Sequence, residues 1–366
     1  MVSTVQLSNY LEDMSDRTTP PPESLEARIK GLVASVGRQD ADVHRDDDLV
    51  EEIIGTALKL VKDNTDRGDV KLMNTALKEL RYSYLVFNPY TSHKKVAVYG
   101  SARTGPNDPN YLLAEEFGRR MAEDLGWMVI TGAGPGIMEA ANKGAGTEAS
   151  FGVNIRLPFE SGANQYLSPG KVINFKYFFT RKVQFVKESH AFALFPGGFG
   201  TMDEAFELLT LVQTGKSSLH PIVMIDSEGT GYWDAWHALC QVLLAQGMIS
   251  PHDSNLYKVT TDINEAIDEI RTFYSVFHSE RYVDGKLVIR LNHEIPDELV
   301  ARLSKDYTDI IVRGSIEKIE TTEAERRSDD VIDLPRISFV FDRRGFGRLR
   351  GLVDELNRYG GRPRTH

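Results

Sequence analysis

A chain of 366 residues, 41% hydrophobic and 9% aromatic, can bury a sizeable core, and its length suits one main domain with flanking pieces. Its 53 Asp and Glu against 43 Lys and Arg leave a formal net charge of -10, which excludes broad electrostatic binding to nucleic acid or an anionic membrane, so any phosphate must be held locally. The one cysteine, Cys240, excludes an intramolecular disulfide and a cysteine-based zinc site and fits a reducing compartment. The start, MVSTVQLSNYLEDMSDRTTPPPE, lacks a basic stretch followed by an apolar one, and no later run approaches a membrane span, so a cytoplasmic protein is expected.

In chain order, residues 1–22 are polar, end in TTPPPE and read as a flexible arm. Residues 23–92 read as an all-α appendage: Leu49, Ile53, Ile54, Ala57 and Leu58, then Leu72, Ala76, Leu77 and Leu80, recur at spacings of three and four. Across 93–277 the apolar runs VAVYG, WMVITG, FGVNI, AFALFPG and PIVMID alternate with helical stretches near 110–125, 136–147, 178–188 and 201–214. Short, almost wholly apolar strands separated by helices predict an α/β domain with a doubly wound, Rossmann-like parallel sheet. Residues 278–366 read as a small α+β domain, with a tight hairpin at Asp284-Gly285.

Three glycine-rich segments fall after strands: VAVYGSARTG, VITGAGPGIMEAANKGA and ALFPGGFGTMDEA. At the carboxyl edge of a parallel sheet, such loops let the backbone approach a ligand, and the next helix offers unpaired N–H groups to an anion. The second segment misses the dinucleotide pattern G-x-G-x-x-G, because position 137 is Ile137, so a nicotinamide site is the weaker reading and no cofactor is expected. In the third, Gly197, Gly198 and Gly200 can cradle a phosphate, Thr201 can cap the helix and donate to that phosphate, and Glu204 follows one turn in. Asp203 is explained by a helix N-terminus. Upstream, Arg181 and Lys182 supply consecutive cations on a helix that precedes the strand leading into this loop.

Arg181-Lys182 followed by P-G-G-x-G-T-x-x-E at Pro196 to Glu204 resembles the LOG ("lonely guy") family, over roughly Lys95 to Gln246. The resemblance implies a hydrolase that cleaves the N-glycosidic bond of a nucleoside 5′-monophosphate to free base and ribose 5-phosphate. Some members act on N6-substituted adenosine monophosphates that are cytokinin precursors, others on AMP or a wider range of nucleotides. By resemblance, Arg181 and Glu204 match the catalytic pair, while Lys182, the PGGFGT turn and Thr210 match substrate contacts. Ser101, Gly134, Gly136, Met138 and Glu139 are expected to line the pocket, and Glu160 and Asn164 to border the ribose or the base. The family often carries the label "lysine decarboxylase", but nothing in the sequence supplies a pyridoxal-phosphate lysine site.

Two departures stand out: about 90 residues flank the α/β region on each side, and its second loop reads GAGPGIMEAAN where plant-type members have GGGxxGLMG. Both favour a larger bacterial nucleotide nucleosidase acting on a purine monophosphate. The competing class is a non-catalytic nucleotide or molybdenum-cofactor carrier of the same fold, which would need the phosphate loop but not the Arg181 and Glu204 pair. The expected partner is a small nucleotide, and the chain is expected to form a homo-oligomer, a dimer or a multiple of dimers. Arg343, Arg344, Arg348 and Arg350 in the tail read as a solvated basic face, with an anionic effector as the alternative.

Overall fold

The computed structural model describes residues 24–36, 46–155, 162–328 and 331–360. The expected arm at 1–22 and Glu160 lie outside them. The chain divides into two compact units, Met1–Thr75 and Ala76–His366. The first holds α1 (Leu25–Ser35), whose N-cap Ser24 side chain accepts from the Ala27 amide, α2 (Asp47–Lys62) and the start of α3 (Arg67–Phe87). Among the described residues no helix is long and apolar enough to cross a membrane.

The second unit is built on a seven-stranded parallel sheet. Its strands are β1 (Lys95–Tyr99), β2 (Met128–Thr131), β3 (Ser150–Ile155), β4 (Val172–Phe175), β5 (Ala191–Leu194), β6 (Ile222–Ile225) and β7 (Lys258–Thr260). They lie in the order β4-β3-β2-β1-β5-β6-β7. The chain starts at the centre, winds out to β4, then returns to lay β5 against β1 with Val96 opposite Ala191, and winds out the other way. Every residue of β1, β2, β3, β5 and β6 is buried, as expected of strands covered on both faces. The alternation of side chains divides the core: Val96 and Val98 enter a cluster on one face, and Ala97 and Tyr99 one on the other. The first face is covered by α4 (Pro109–Glu123), α5 (Ile137–Ala145) and α9 (Ile263–Phe273). The second is covered by α6 (Phe178–Glu188), α7 (Phe199–Gln213) and α8 (Tyr232–Ala245).

The doubly wound α/β class read from the sequence is the observed one. The apolar runs locate five of the seven strands and miss the two edges. β4 and β7 are short and exposed on one side, carrying Asn174 and Lys258, so neither presents a wholly apolar run.

A second, antiparallel sheet follows in the order β10-β11-β9-β8, from β8 (Phe277–Val283), β9 (Lys286–Leu291), β10 (Ile311–Ile319) and β11 (Arg336–Phe341). Asp284 and Gly285 both take positive φ, 49° and 81°, and close the expected hairpin. Helices α10 (Asp297–Asp306), α11 (Glu323–Ser328) and α12 (Phe346–Gly360) complete this region. Leu349, Leu352, Val353 and Leu356 of α12 join the same apolar cluster as Phe192 and Met224 of the parallel sheet. Of the tail arginines expected to form a solvated face, Arg343 and Arg344 are exposed, but Arg348 and Arg350 are held by carboxylates. Arg350 is 3% exposed, pairs with Glu269 and Asp354 and lies over Phe273, while Arg348 makes two bonds to Asp309 at 2.9 and 3.0 Å. We propose functional boundaries at 93–277 for the α/β domain and 278–366 for the α+β domain.

Candidate active site

Where winding reverses in a parallel sheet, the loops after the two central strands separate and leave a crevice. Here the reversal lies between β1 and β5. The Ser101 N–H after β1 donates to the Pro196 carbonyl after β5 at 3.0 Å, and the Ile137 N–H at the start of α5 donates to the Ser101 carbonyl at 3.0 Å. All three glycine-rich loops are therefore tied together. Two glycines are dictated by this packing. A Cβ on Gly136, whose φ is 70°, would run into the Ser101 carbonyl oxygen and lie 2.8 Å from the Ala102 carbonyl carbon. One on Gly197 would overlap the Thr201 hydroxyl and lie 2.6 Å from its Cβ.

The crevice opens into a cleft of about 770 Å³. Ser101, Gly134 and Met138 line it from the first two loops, and Gly197, Gly198, Gly200 and Thr201 from the third. Gly198 is the N-cap of α7 and makes no side-chain cap, so Thr201 does not cap the helix as expected; it stands buried in the first turn. Within the described residues the amides of Gly198, Phe199, Gly200 and Thr201 have no hydrogen-bond partner, so four donors and the positive end of the helix meet the cleft.

Arg181 of α6 and Glu204 of α7 face each other across this floor, with Nη2 donating to Oε1 at 2.8 Å. Burial pushes the Glu204 carboxyl up to about 7, against the opposing pull of Arg181 and Lys182. Its position is 6% exposed. The Arg181 guanidinium lies over two aromatic rings, 5.0 Å from the Phe178 centroid and 5.6 Å from that of Phe185. Its Nε is buried and has no hydrogen-bond partner among the described residues.

Other expected residues fall elsewhere. Lys182 is off the cleft wall, because its Nζ is held at 2.9 Å by both Asp203 and Glu207. Burial opposes its charge, yet the two carboxylates outweigh it and hold the ammonium above its ordinary pKa. Asp203 thus acts on Lys182 and not on the helix terminus, which has no acid in its first turn. Thr210 lies on a separate pocket of about 180 Å³ between α7 and α8, since six residues rotate a helix by roughly 240° from Glu204. Gly136 and Glu139 shape α5 without lining the cleft. Asn164 fastens the second loop: it donates from its amide to the Ala133 carbonyl at 2.9 Å and from Nδ2 to Gly134 O at 3.2 Å.

Sequence reasoning missed Tyr99 and Phe178, which line the cleft, whereas Phe199 came with the PGGFGT turn. Phe178 stands three residues before Arg181 and so on the same helix face, a signal that could have found it. Phe199 is 96% exposed at the mouth. Burial, then the Glu204 charge, hold the Tyr99 phenol well above its ordinary pKa.

A family model described as "Possible lysine decarboxylase" matches residues 137–270. Two bacterial relatives are named cytokinin riboside 5′-monophosphate phosphoribohydrolase. That of Rhodococcoides fascians is 28% identical over 183 residues, 49% of this chain and 90% of that protein. That of Mycobacterium tuberculosis (strain ATCC 25618 / H37Rv) is 29% identical over 177 residues, 47% of this chain and 90% of that protein. A rice relative (Oryza sativa subsp. japonica), the probable cytokinin riboside 5′-monophosphate phosphoribohydrolase LOG4, is 24% identical over 182 residues, 48% of this chain and 76% of that protein. Among solved structures, the molybdenum cofactor binding protein from Rippkaea orientalis aligns with a TM-score of 0.36 at 19% identity, covering 49% of this chain and 96% of that one. Among the described residues no lysine lines the cleft, and Lys182 beside it is held charged by two carboxylates. The motif that pairs Arg181 with Glu204 over the PGGFGT turn, together with relatives that match about half of the chain, makes the α/β region of this chain similar to LOG-family proteins.

Proposed function

We propose that the protein hydrolyses the N-glycosidic bond of a purine nucleoside 5′-monophosphate, AMP or a related nucleotide such as a cytokinin riboside monophosphate, to free base and ribose 5-phosphate. The observation that carries this reading is the Arg181–Glu204 pair at 2.8 Å beside four unpartnered amides at the start of α7. The amides suit a 5′-phosphate and the carboxylate suits the sugar one turn deeper. As the bond from C1′ to the base nitrogen breaks, its electron pair leaves with the base and positive charge develops on the ribose ring. Water adds to C1′, its proton passes to the Glu204 carboxylate, and the base takes up a proton. Arg181 orients that carboxylate through its Nη2 bond at 2.8 Å. The relatives' names support the same reaction class. We further propose a cytoplasmic homo-oligomer.

The test is incubation of the purified chain with a panel of nucleoside monophosphates, with and without EDTA, resolving free bases by chromatography. Release of a purine base in both buffers is expected. Tight binding of one nucleotide with no base released would replace this reading by a carrier.

A further inference from the structure

Helix α2, DDLVEEIIGTALKLVK, has no buried residue among its sixteen. Val50, Ile53, Ala57 and Val61 recur along it at spacings of three and four and form one stripe. Val50 is 43%, Ile53 50% and Val61 77% exposed, with Leu49 and Leu58 also exposed at the stripe's borders. Scattered apolar side chains are ordinary on a surface, but a continuous stripe marks a contact.

The charges indicate what makes that contact. Asp47, Asp48, Glu51 and Glu52 occupy the first half of α2, and Lys59 and Lys62 the second. The helix dipole explains this sorting along the axis. It does not explain the placement around it. Glu51 and Lys62 are eleven residues apart, about three turns, so they share one edge of the stripe while standing roughly 16 Å from each other. They cannot pair within the helix, and neither has a partner among the described residues. A second α2 laid antiparallel, crossing near the small Ala57, sets Glu51 of each helix opposite Lys62 of the other. In a parallel two-fold pair the edge that carries Glu51 and Lys62 would face the opposite edge of the partner, so the two residues would not meet.

We propose that α2 is an interaction surface for a second copy of this chain, packed antiparallel about a two-fold axis, with the Val50–Val61 stripe buried and two reciprocal Glu51–Lys62 ion pairs along one edge of it. The proposal is independent of the reaction proposed for the nucleotide cleft.

Sedimentation velocity and dilution light scattering of the full chain test it, with circular dichroism confirming equal helix content. The wild type is expected to contain at least two chains at micromolar concentration. Glu51→Lys and Lys62→Glu should each weaken association roughly tenfold, through like-charge contacts. The double variant Glu51→Lys/Lys62→Glu should recover to within about threefold, because the exchange restores both pairs only in an antiparallel dimer. Val61→Asp, at an exposed position that folding does not need, should lower the mass of the assembly. A single-chain wild type, an unchanged mass in Val61→Asp, or a double variant as weak as the single ones would each overturn the proposal.

Discussion

Tyr232, the first residue of α8, donates its hydroxyl hydrogen to the Gly197 carbonyl at 2.6 Å. Its own amide donates to Asp226 Oδ2 at 3.3 Å, and the Thr230 hydroxyl bonds to the same oxygen. In a trans peptide the carbonyl and the following N–H point in opposite directions. Anchoring the Gly197 carbonyl on Tyr232 therefore turns the Gly198 N–H the other way, toward the cleft that Gly198 lines. Tyr232→Phe should raise KM for the nucleotide about tenfold with a smaller change in kcat, the pattern of lost uniform binding. Steady-state kinetics check this, and an unchanged KM would show that the loop holds its shape without the hydroxyl.

Glu204→Gln separates chemistry from binding. In the reaction we propose, the carboxylate acts chiefly in the transition state, so kcat should fall by roughly 10²–10⁴ while nucleotide affinity, measured by calorimetry, stays close to wild type. Asp203→Asn is the control, since that carboxylate reaches Lys182 outside the cleft. Near-normal kcat in Glu204→Gln would assign the catalytic carboxylate to the wrong residue.

The same group sets a pH dependence. With the Glu204 carboxyl pushed up to about 7 by burial, kcat/KM should fall as pH drops through that value, and Glu204→Gln should lose this limb from its residual activity. Stability moves in the opposite sense. Glu204, and Glu280, which burial also raises to about 7, keep protons in the folded state that the unfolded chain releases near 4.5. Between those values the native state binds more protons, so stability declines as pH rises through the window. Thermal melts across pH 4.5–7 should show this slope, shallower in Glu204→Gln; equal slopes would mean that Glu204 titrates normally.

The amides at the start of α7 should read the 5′-phosphate directly. Hydrogen bonds to charged groups contribute roughly 1.5–3 kcal/mol each, so adenosine should be processed at least about a hundredfold less efficiently than AMP. Comparable kcat/KM for the two compounds would remove the phosphate role of this loop.

Gly197→Ala places a methyl group against Thr201 on a loop that also bonds Ser101 to Pro196. Overpacking of this kind costs about 1–3 kcal/mol, and the displaced amides should lose affinity for ribose 5-phosphate. Gly105→Ala, where an added Cβ meets open space, should leave both the melting temperature and binding near wild type. If Gly197→Ala melts and binds like Gly105→Ala, the loops are looser than their contacts imply.

What the sequence by itself determined is everything carried by short-range periodicity and backbone chemistry. Fully apolar runs such as VAVY and AFAL can only be strands covered on both faces, and α6 at 178–188 follows from its local pattern. Glycines after β1, β2 and β5 mark the carboxyl edge, and P-G-G-x-G-T-x-x-E puts an acid one turn beyond an anion cradle. Tertiary structure decided which side chains meet there. Arg181 and Glu204 are 23 residues apart and touch because β5 inserts beside β1 and brings α6 against α7. Lys182 follows Arg181 directly but is rotated about 100° around α6, which sends it to Asp203 and Glu207. Tyr232 reaches Gly197 across 35 residues, from a helix whose pattern announces only a buried Trp233 and Trp236. Periodicity sets which face of a helix is apolar, but the rotation and approach of neighbouring helices, fixed by packing in the closed core, set which polar groups come within hydrogen-bond distance.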